Sequence, residues 1–306
     1  MIVCTYINDV SKNQIICLSV SAVSLSEINQ ITIFYGNATN DLLIRFPNVL
    51  DYTLFSSSGL GPIESGDLND DGLDDLVVCN QAKLPASGGA LLHVLANTGD
   101  TRQLEIATVN VPGMNCHYFV AIGDFYSIGK QDSVSAYDDG GGVVTFRYVN
   151  YTTGLCAFES HILHEQALSV TKGKFSDDEF DDLAFILRNE ALQILLGNGD
   201  GTFTQQIYPI PSHSMSVTRM NFNNDTIDDV AILSCNRTVT VFLGMLNGFF
   251  NRNYLSFKSD ERSNSQCAHS LKISDLNQDG RDDLVFIDAE TQSIGVFLTT
   301  LCNEET

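Results

Sequence analysis

Tryptophan is missing from this chain, and positive charge is scarce. Only 16 Lys and Arg stand against 38 Asp and Glu, a formal net charge of −22 over 306 residues. Phosphate backbones are bound by basic faces, so nucleic acid is excluded as a partner. No apolar run approaches the roughly 18 residues of a membrane span, so none is expected in this chain. The opening MIVCTYIND has neither a basic n-region nor a long apolar h-region, so no signal peptide is visible. Enzyme signatures are equally sparse, with no G-x-S-x-G, no H-E-x-x-H and no Walker loop. His161 and His164 form H-I-L-H, but the spacing is short for a helix pair and no Cys or acid completes a zinc set. The expectation is a chain with no catalytic residues. A polysaccharide lyase or hydrolase stays open as a lesser alternative, because fold does not fix function.

What is present is acid of one kind. Asp outnumbers Glu 27 to 11, an excess that points to loops, turns and sites for hard cations rather than to acidic helices. Hydrophobic residues at 43% and charged ones at 18% give a globular composition. Eight Cys and the glycosylation sequons at Asn37, Asn150 and Asn236 favour an oxidising location, extracellular or on the cell surface. Without a visible leader, the expectation for such a location is a fragment or an incomplete gene model.

The acids recur in register. Loops ending at Asp75, Asp132, Asp182, Asp229 and Asp283 are 57, 50, 47 and 54 residues apart, a spacing of propeller blades and solenoids. After each anchor comes an apolar stretch (LVVCN, SVSAY, LAFIL, VAILS, LVFID), then a second (ALLHVLAN, GVVTFRYV, LQILLGN, TVTVFLG, SIGVFLT). Another precedes each anchor, as in HYFVAIGD and HSLKISD, and a decayed copy heads the chain with IVCTYIND, IICLSV and QITIFYGN. These runs are short, rich in Val, Ile, Phe and Leu, and bounded by Gly, Asn and Asp, which predicts strands joined by hairpins and little helix. LLGNGDGTF, residues 195–203, supplies the Asn-Gly and Asp-Gly that tight hairpins need. The predicted class is all-β, a propeller of about six four-stranded blades, either by itself or as part of a seven-bladed ring. The blades are placed at 1–51, 52–112, 113–163, 164–211, 212–258 and 259–302, as one domain with a tail at 303–306.

GDLNDDGLDDLVV (66–78), SDLNQDGRDDLVF (274–286) and LLGNGDGTF resemble the FG-GAP/VCBS repeats of the integrin α-subunit propeller and of many secreted proteins. The resemblance covers residues 1–301 and implies a fold and an ion, not a partner. The loop reads D-x-N-x-D-G-x-x-D, with side-chain oxygens at positions 1, 3, 5 and 9 and a backbone carbonyl at position 7. That is Asp67, Asn69, Asp71, Leu73 and Asp75 in the first strong copy, and Asp275, Asn277, Asp279, Arg281 and Asp283 in the second. An all-oxygen cage suits Ca²⁺ better than Mg²⁺. Position 12 falls inside a strand, so no EF-hand glutamate closes the cage, and position 9 is expected to do so. A third, weaker site is expected at Asn221, Asn223, Asp225, Ile227 and Asp229, where Thr226 replaces the glycine. In KFSDDEFDD, Lys174 occupies position 1, and its ammonium is expected to neutralise Asp178 and Asp182 in place of an ion, leaving those two as a weak metal site only. DFYSIGKQD, with Tyr126 and Ile128 at ligand positions, and the N-terminal copy, with Val10 and Gln14, are expected to hold no ion.

Four cysteines fall at matching places in the repeat. Cys79 and Cys235 lie just past their anchors, and Cys116 and Cys267 each lie eight residues ahead of the next loop, which predicts the pairs Cys79–Cys116 and Cys235–Cys267. The functional expectation is a non-enzymatic, calcium-stabilised binding or adhesion module with a protein ligand. A carbohydrate-binding lectin is the alternative, and the lack of Trp platforms counts against it. The sixth copy ends at Leu301 without a fourth strand, so the last blade is expected to be incomplete and the ring open or imperfect.

Overall fold

The computed structural model describes residues 2–9, 12–19, 28–35, 48–55, 60–80, 90–97, 104–111, 116–126, 129, 131–137, 142–150, 155–251, 255–258, 268–277, 281–288 and 293–299. Among them there is no helix, and none long and apolar enough to cross a membrane. The chain divides into two compact units, 1–163 and 164–306.

In the first unit, β1 (Ile2–Asp9) pairs with β2 (Lys12–Ser19), and β3 (Ile28–Tyr35) with β4 (Asn48–Phe55), all antiparallel. β4 runs through residue 51, so the first predicted boundary falls inside a strand. A four-stranded sheet follows, made of β5 (Leu60–Gly66), β6 (Asp75–Asn80), β7 (Ala90–Asn97) and β8 (Leu104–Val111) in chain order. A second comprises β9 (Cys116–Gly123), β10 (Asp132–Tyr137), β11 (Gly142–Asn150) and β12 (Leu155–Ile162).

The second unit repeats the meander. Its sheets are β13 (Ala167–Gly173), β14 (Asp182–Leu187), β15 (Ala191–Gly197) and β16 (Phe203–Pro209), then β17 (Ser214–Met220), β18 (Asp229–Ser234), β19 (Thr238–Phe242) and β20 (Leu255–Lys258). A last sheet of three described strands is formed by β21 (Ala268–Ser274), β22 (Asp283–Asp288) and β23 (Ser293–Phe297). The apolar runs after each anchor are thus the second strands, and every residue of β14 and β18 is buried.

A strand buried on both faces needs no polar alternation, which is why DVAILS reads as an unbroken apolar run. Val230 and Ile232 join a core with Phe175, Ile186, Leu192, Ile194 and Phe242, whereas Ala231 and Leu233 join another with Met220, Leu271, Leu284 and Phe286. Successive sheets of the second unit therefore stack face to face through the two sides of one strand. Their first strands are also tied edge to edge. Ser169 and Thr171 of β13 accept the N–H groups of Val217 and Arg219 at 3.1 Å each, and Ser216 of β17 accepts that of Leu271 at 3.0 Å.

The hairpins between second and third strands turn on residues at positive φ, Glu190 at 62° and Arg237 at 62°. Glu190 N–H donates to the Leu187 carbonyl at 3.1 Å, and Arg237 N–H to that of Ser234 at 2.9 Å. These are three-residue loops whose last member takes the left-handed conformation.

Candidate functional site

Each acidic loop joins the first strand of a sheet to the second, and its side chains hold the loop backbone. In the loop at 67–75, Asp67 Oδ1 accepts the N–H groups of Asp70 (2.7 Å) and Asp71 (3.1 Å), and its Oδ2 accepts that of Gly72 (2.8 Å). Asn69 Oδ1 accepts Asp71 N–H and Asp71 Oδ1 accepts Leu73 N–H, both at 2.9 Å. Asn69 Nδ2 also donates to Asp71 Oδ2 at 2.9 Å. Such a chain of Asx turns explains why the short side chains of Asp and Asn, not Glu, occupy alternate positions. Gly72 takes φ 83° and Asp70 φ 65°, the left-handed region that lets the loop double back.

The loop at 221–229 repeats the pattern. Asp225 N–H donates to Asn223 Oδ1 at 3.2 Å, Ile227 N–H to Asp225 Oδ1 at 2.8 Å, and Asn223 Nδ2 to Asp225 Oδ2 at 2.6 Å. Asn224 takes φ 60°, and Thr226 is not among the residues at positive φ, so the turn that Gly72 makes is not repeated at Thr226. Asn221 Nδ2 donates to the Asp225 carbonyl at 2.7 Å, while its Oδ1 is buried with no hydrogen-bond partner. The 124–132 loop keeps the first link, Gly129 N–H to Asp124 Oδ2 at 2.8 Å, without acids at positions 3 and 5.

Position 9 does a distinct job. Asp75, Asp182, Asp229 and Asp283 are all 0% exposed. One oxygen of each accepts the N–H of position 2: Leu68 (3.1 Å), Phe175 (2.7 Å), Phe222 (2.7 Å) and Leu276 (2.9 Å). In the last three the other oxygen accepts an N–H at the end of the third strand or just past it, from Gly197 (2.8 Å), Gly244 (2.9 Å) and Thr299 (2.8 Å). A single carboxylate thus ties the loop start to the end of the third strand. Asp182 makes the same tie in a loop whose position 1 is Lys174. Burial wins over these hydrogen bonds and pushes the carboxyls of Asp182 and Asp229 up to about 6.

The KFSDDEFDD loop corrects one expectation. The Lys174 ammonium does not neutralise Asp178 and Asp182. It lies 3.4 Å from Asp181, which also meets Lys172 at 3.4 Å, and it donates to the Glu179 carbonyl. Asp178 Oδ1 instead accepts Phe180 N–H at 2.9 Å. Asp181 keeps 14% of its side chain exposed and lies within reach of both ammonium groups, whereas Asp182 is fully buried with its oxygens on the N–H groups of Phe175 and Gly197.

Position 8 is the residue that motif reading passed over. Asp228 Oδ2 accepts the N–H of Lys174, and Asp228 N–H donates to the Lys174 carbonyl, both at 2.8 Å. Asp282 Oδ2 accepts Asn221 N–H at 3.1 Å. Each is a staple from one sheet's loop to position 1 of the preceding loop. Arg219 also meets Asp228 at 3.3 Å. The signal was the acidic doublet at positions 8 and 9, present in four loops and replaced by Gln131-Asp132 in a fifth. Gln131 Oε1 lies where a Cβ on Gly66 would be 2.3 Å away, and it is buried with no partner.

Among the remaining predicted residues, Leu73 and Arg281 are half-buried, Ile227 is 3% exposed, and Asp275 and Asn277 are exposed. Asp279, Asn37 and Cys267 lie outside the described residues. Asn150 ends β11, and Asn236 is exposed in the turn after β18. Cys79 and Cys116 lie on β6 and β9, and Cys235 is disulfide-bonded. His164 is exposed, with its N–H on Gln193 Oε1 at 3.2 Å. No three His, Cys, Asp or Glu side chains converge as a metal cluster among the described residues.

No family model matches the chain, and no curated protein matches its sequence. Its structure is similar to one described as the Dos1 propeller, with a TM-score of 0.55 at 10% identity. That likeness extends over 95% of this chain, which spans 66% of the other. Serial antiparallel meanders without helix, stacked face to face in the second unit and matched to a propeller over nearly their whole length, make this chain a β-propeller fold.

Proposed function

We propose that the chain is an extracellular, calcium-stabilised propeller of the FG-GAP/VCBS type that acts as a protein-binding or adhesion module and not as an enzyme. The observation that carries the calcium reading is the oxygen set at positions 1, 3 and 5. A carboxylate offers about four lone-pair sites, so oxygens that accept loop N–H groups keep others for a cation. Asn221 Oδ1, buried and without a partner, is the kind of acceptor that a cation would satisfy. Asp67, Asn69, Asp71 and the Leu73 carbonyl would hold one ion, the matching residues at 275–281 a second, and Asn221, Asn223 and Asp225 a weaker third. The ion would supply charge neutralisation and loop rigidity, adding binding free energy to folding. The disulfide at Cys235 and the exposed sequon at Asn236 support an oxidising compartment. The missing enzyme motifs and the position of the loops at one end of each sheet favour a binding surface over a catalytic cleft.

Calorimetric titration should find two tight calcium sites and a weaker third, with Asp71→Ala and Asp279→Ala each removing one tight site. A melting temperature indifferent to chelator refutes the stabilising role. A glycan array that returns specific hits would transfer the chain to the carbohydrate-binding class.

A further inference from the structure

The turn after β19 carries three large apolar side chains into solvent within five residues: Met245 at 40%, Leu246 at 63% and Phe249 at 50% exposure. The turn is held rigidly. Met245 N–H donates to the Phe249 carbonyl at 2.9 Å, Gly248 N–H to the Met245 carbonyl at 2.8 Å, and Phe249 N–H to Asn247 Oδ1 at 3.2 Å. Phe250 anchors it from below, buried against Phe175 (5.6 Å between ring centres) and Tyr208 (5.8 Å), with its N–H on the Tyr208 hydroxyl at 3.2 Å. A turn backbone already fixed in place loses little conformational freedom on binding, which favours affinity.

The turn's neighbour is an acidic loop. A Cβ placed on Gly248 would meet Leu196 at 2.6 Å and Ser176 at 3.6 Å, so the turn lies against the start of the 176–181 segment. There Asp177, Asp178 and Glu179 are all exposed, and neither nearby lysine pairs with their carboxylates: Lys172 and Lys174 meet Asp181, and Lys174 also donates to the Glu179 carbonyl. Lys174 at position 1 keeps this loop from the ion set expected elsewhere, so calcium would leave its charge in place. An exposed apolar tip beside an uncancelled anionic edge is complementary to an apolar anchor flanked by cations.

We propose that Met245, Leu246 and Phe249, with the Asp177–Glu179 edge, form a docking surface for a cationic amphipathic segment of a partner protein. This rests on the protein-binding reading above and names the partner's chemistry. The probe is a short labelled peptide of leucine and lysine, compared with a version in which glutamate replaces lysine, titrated onto the calcium-loaded full chain. The lysine peptide should bind, more weakly as salt rises, and the glutamate peptide should not. The double variant Leu246→Ser, Phe249→Ser should weaken binding by about tenfold or more. Leu298→Ser, which changes an equally exposed leucine elsewhere in the unit, should leave binding within about twofold. Neutralising the edge with Asp177→Asn, Asp178→Asn and Glu179→Gln should flatten the salt dependence. Equal binding of both peptides, or lysine-peptide binding unchanged in these variants, overturns the surface while leaving the protein-binding reading in place. Self-association of the free chain that Leu246→Ser, Phe249→Ser abolishes would make the occupant a second copy and overturn the proposal. A positive glycan array, by contrast, removes the reading beneath it.

Discussion

Asp182 makes the chain's stability depend on pH in a direction opposite to the usual carboxylate. Burial holds its folded-state pKa at about 6, against an ordinary 3.8. The folded chain therefore binds this proton more tightly than the unfolded chain does. Between those two values the native state carries more protons, so stability rises as pH falls through 6 and levels off below 3.8. At neutral pH the buried charge costs about 3 kcal/mol relative to the neutral acid. Moving from pH 7 to pH 5 recovers about 1.3 kcal/mol of it. The substitution Asp182→Ala removes that term and leaves the N–H groups of Phe175 and Gly197 without their acceptor. Each orphaned donor costs about 1–3 kcal/mol, about 2–6 for the two, against about 3 recovered at pH 7 by the relieved charge, so the net change at pH 7 lies between about −1 and +3 kcal/mol of lost stability. At pH 5 the gap to wild type should widen by about 1.3 kcal/mol. Urea titrations in chelator, followed by tyrosine fluorescence because the chain has no Trp, measure it. Asp177→Ala, an exposed neighbour, controls for relief of the general negative charge. A gap that stays constant or narrows on acidification would falsify the assignment.

Three more outcomes follow from the staples and turns. Asp228→Ala should destabilise by about 2–3 kcal/mol, most of it from the charge-assisted bond to Lys174 N–H, since the half-exposed Arg219 pair is worth under about 1 kcal/mol; a thermal shift no larger than that of Asp177→Ala rules the staple out. Gly244→Ala would bring a Cβ to 2.5 Å from the Asp228 carbonyl oxygen, so it should cost about 1–3 kcal/mol by urea titration, and a neutral result would mean the third strand does not press on the loop. Peptide mapping of unreduced protein should recover Cys235 linked to Cys267, and any other partner refutes the pairing expected from the repeat.

The periodic acids, the apolar runs and the punctuating Asn-Gly and Asp-Gly pairs determined the strand order of the described repeats, because a hairpin meander is encoded locally in patterns of two to eight residues. The alternating Asp and Asn of GDLNDDGLDD likewise announced a loop organised by side-chain oxygens, since Asx turns close over two to five residues. Tertiary structure alone decided which carboxylate does what. Asp228 and Asp229 are adjacent and chemically identical, yet one is turned to Lys174 of the preceding loop, 54 residues away, and the other to Gly244 at the end of its own sheet's third strand. Neither partner can be read from spacing, because one bond depends on how two sheets stack and the other on how far a third strand runs. The pairing of Lys174 with Asp181 instead of Asp178 and Asp182 has the same origin. Sequence lists the charges in a loop, and only the folded backbone sets which of them face solvent, a neighbouring sheet or the interior.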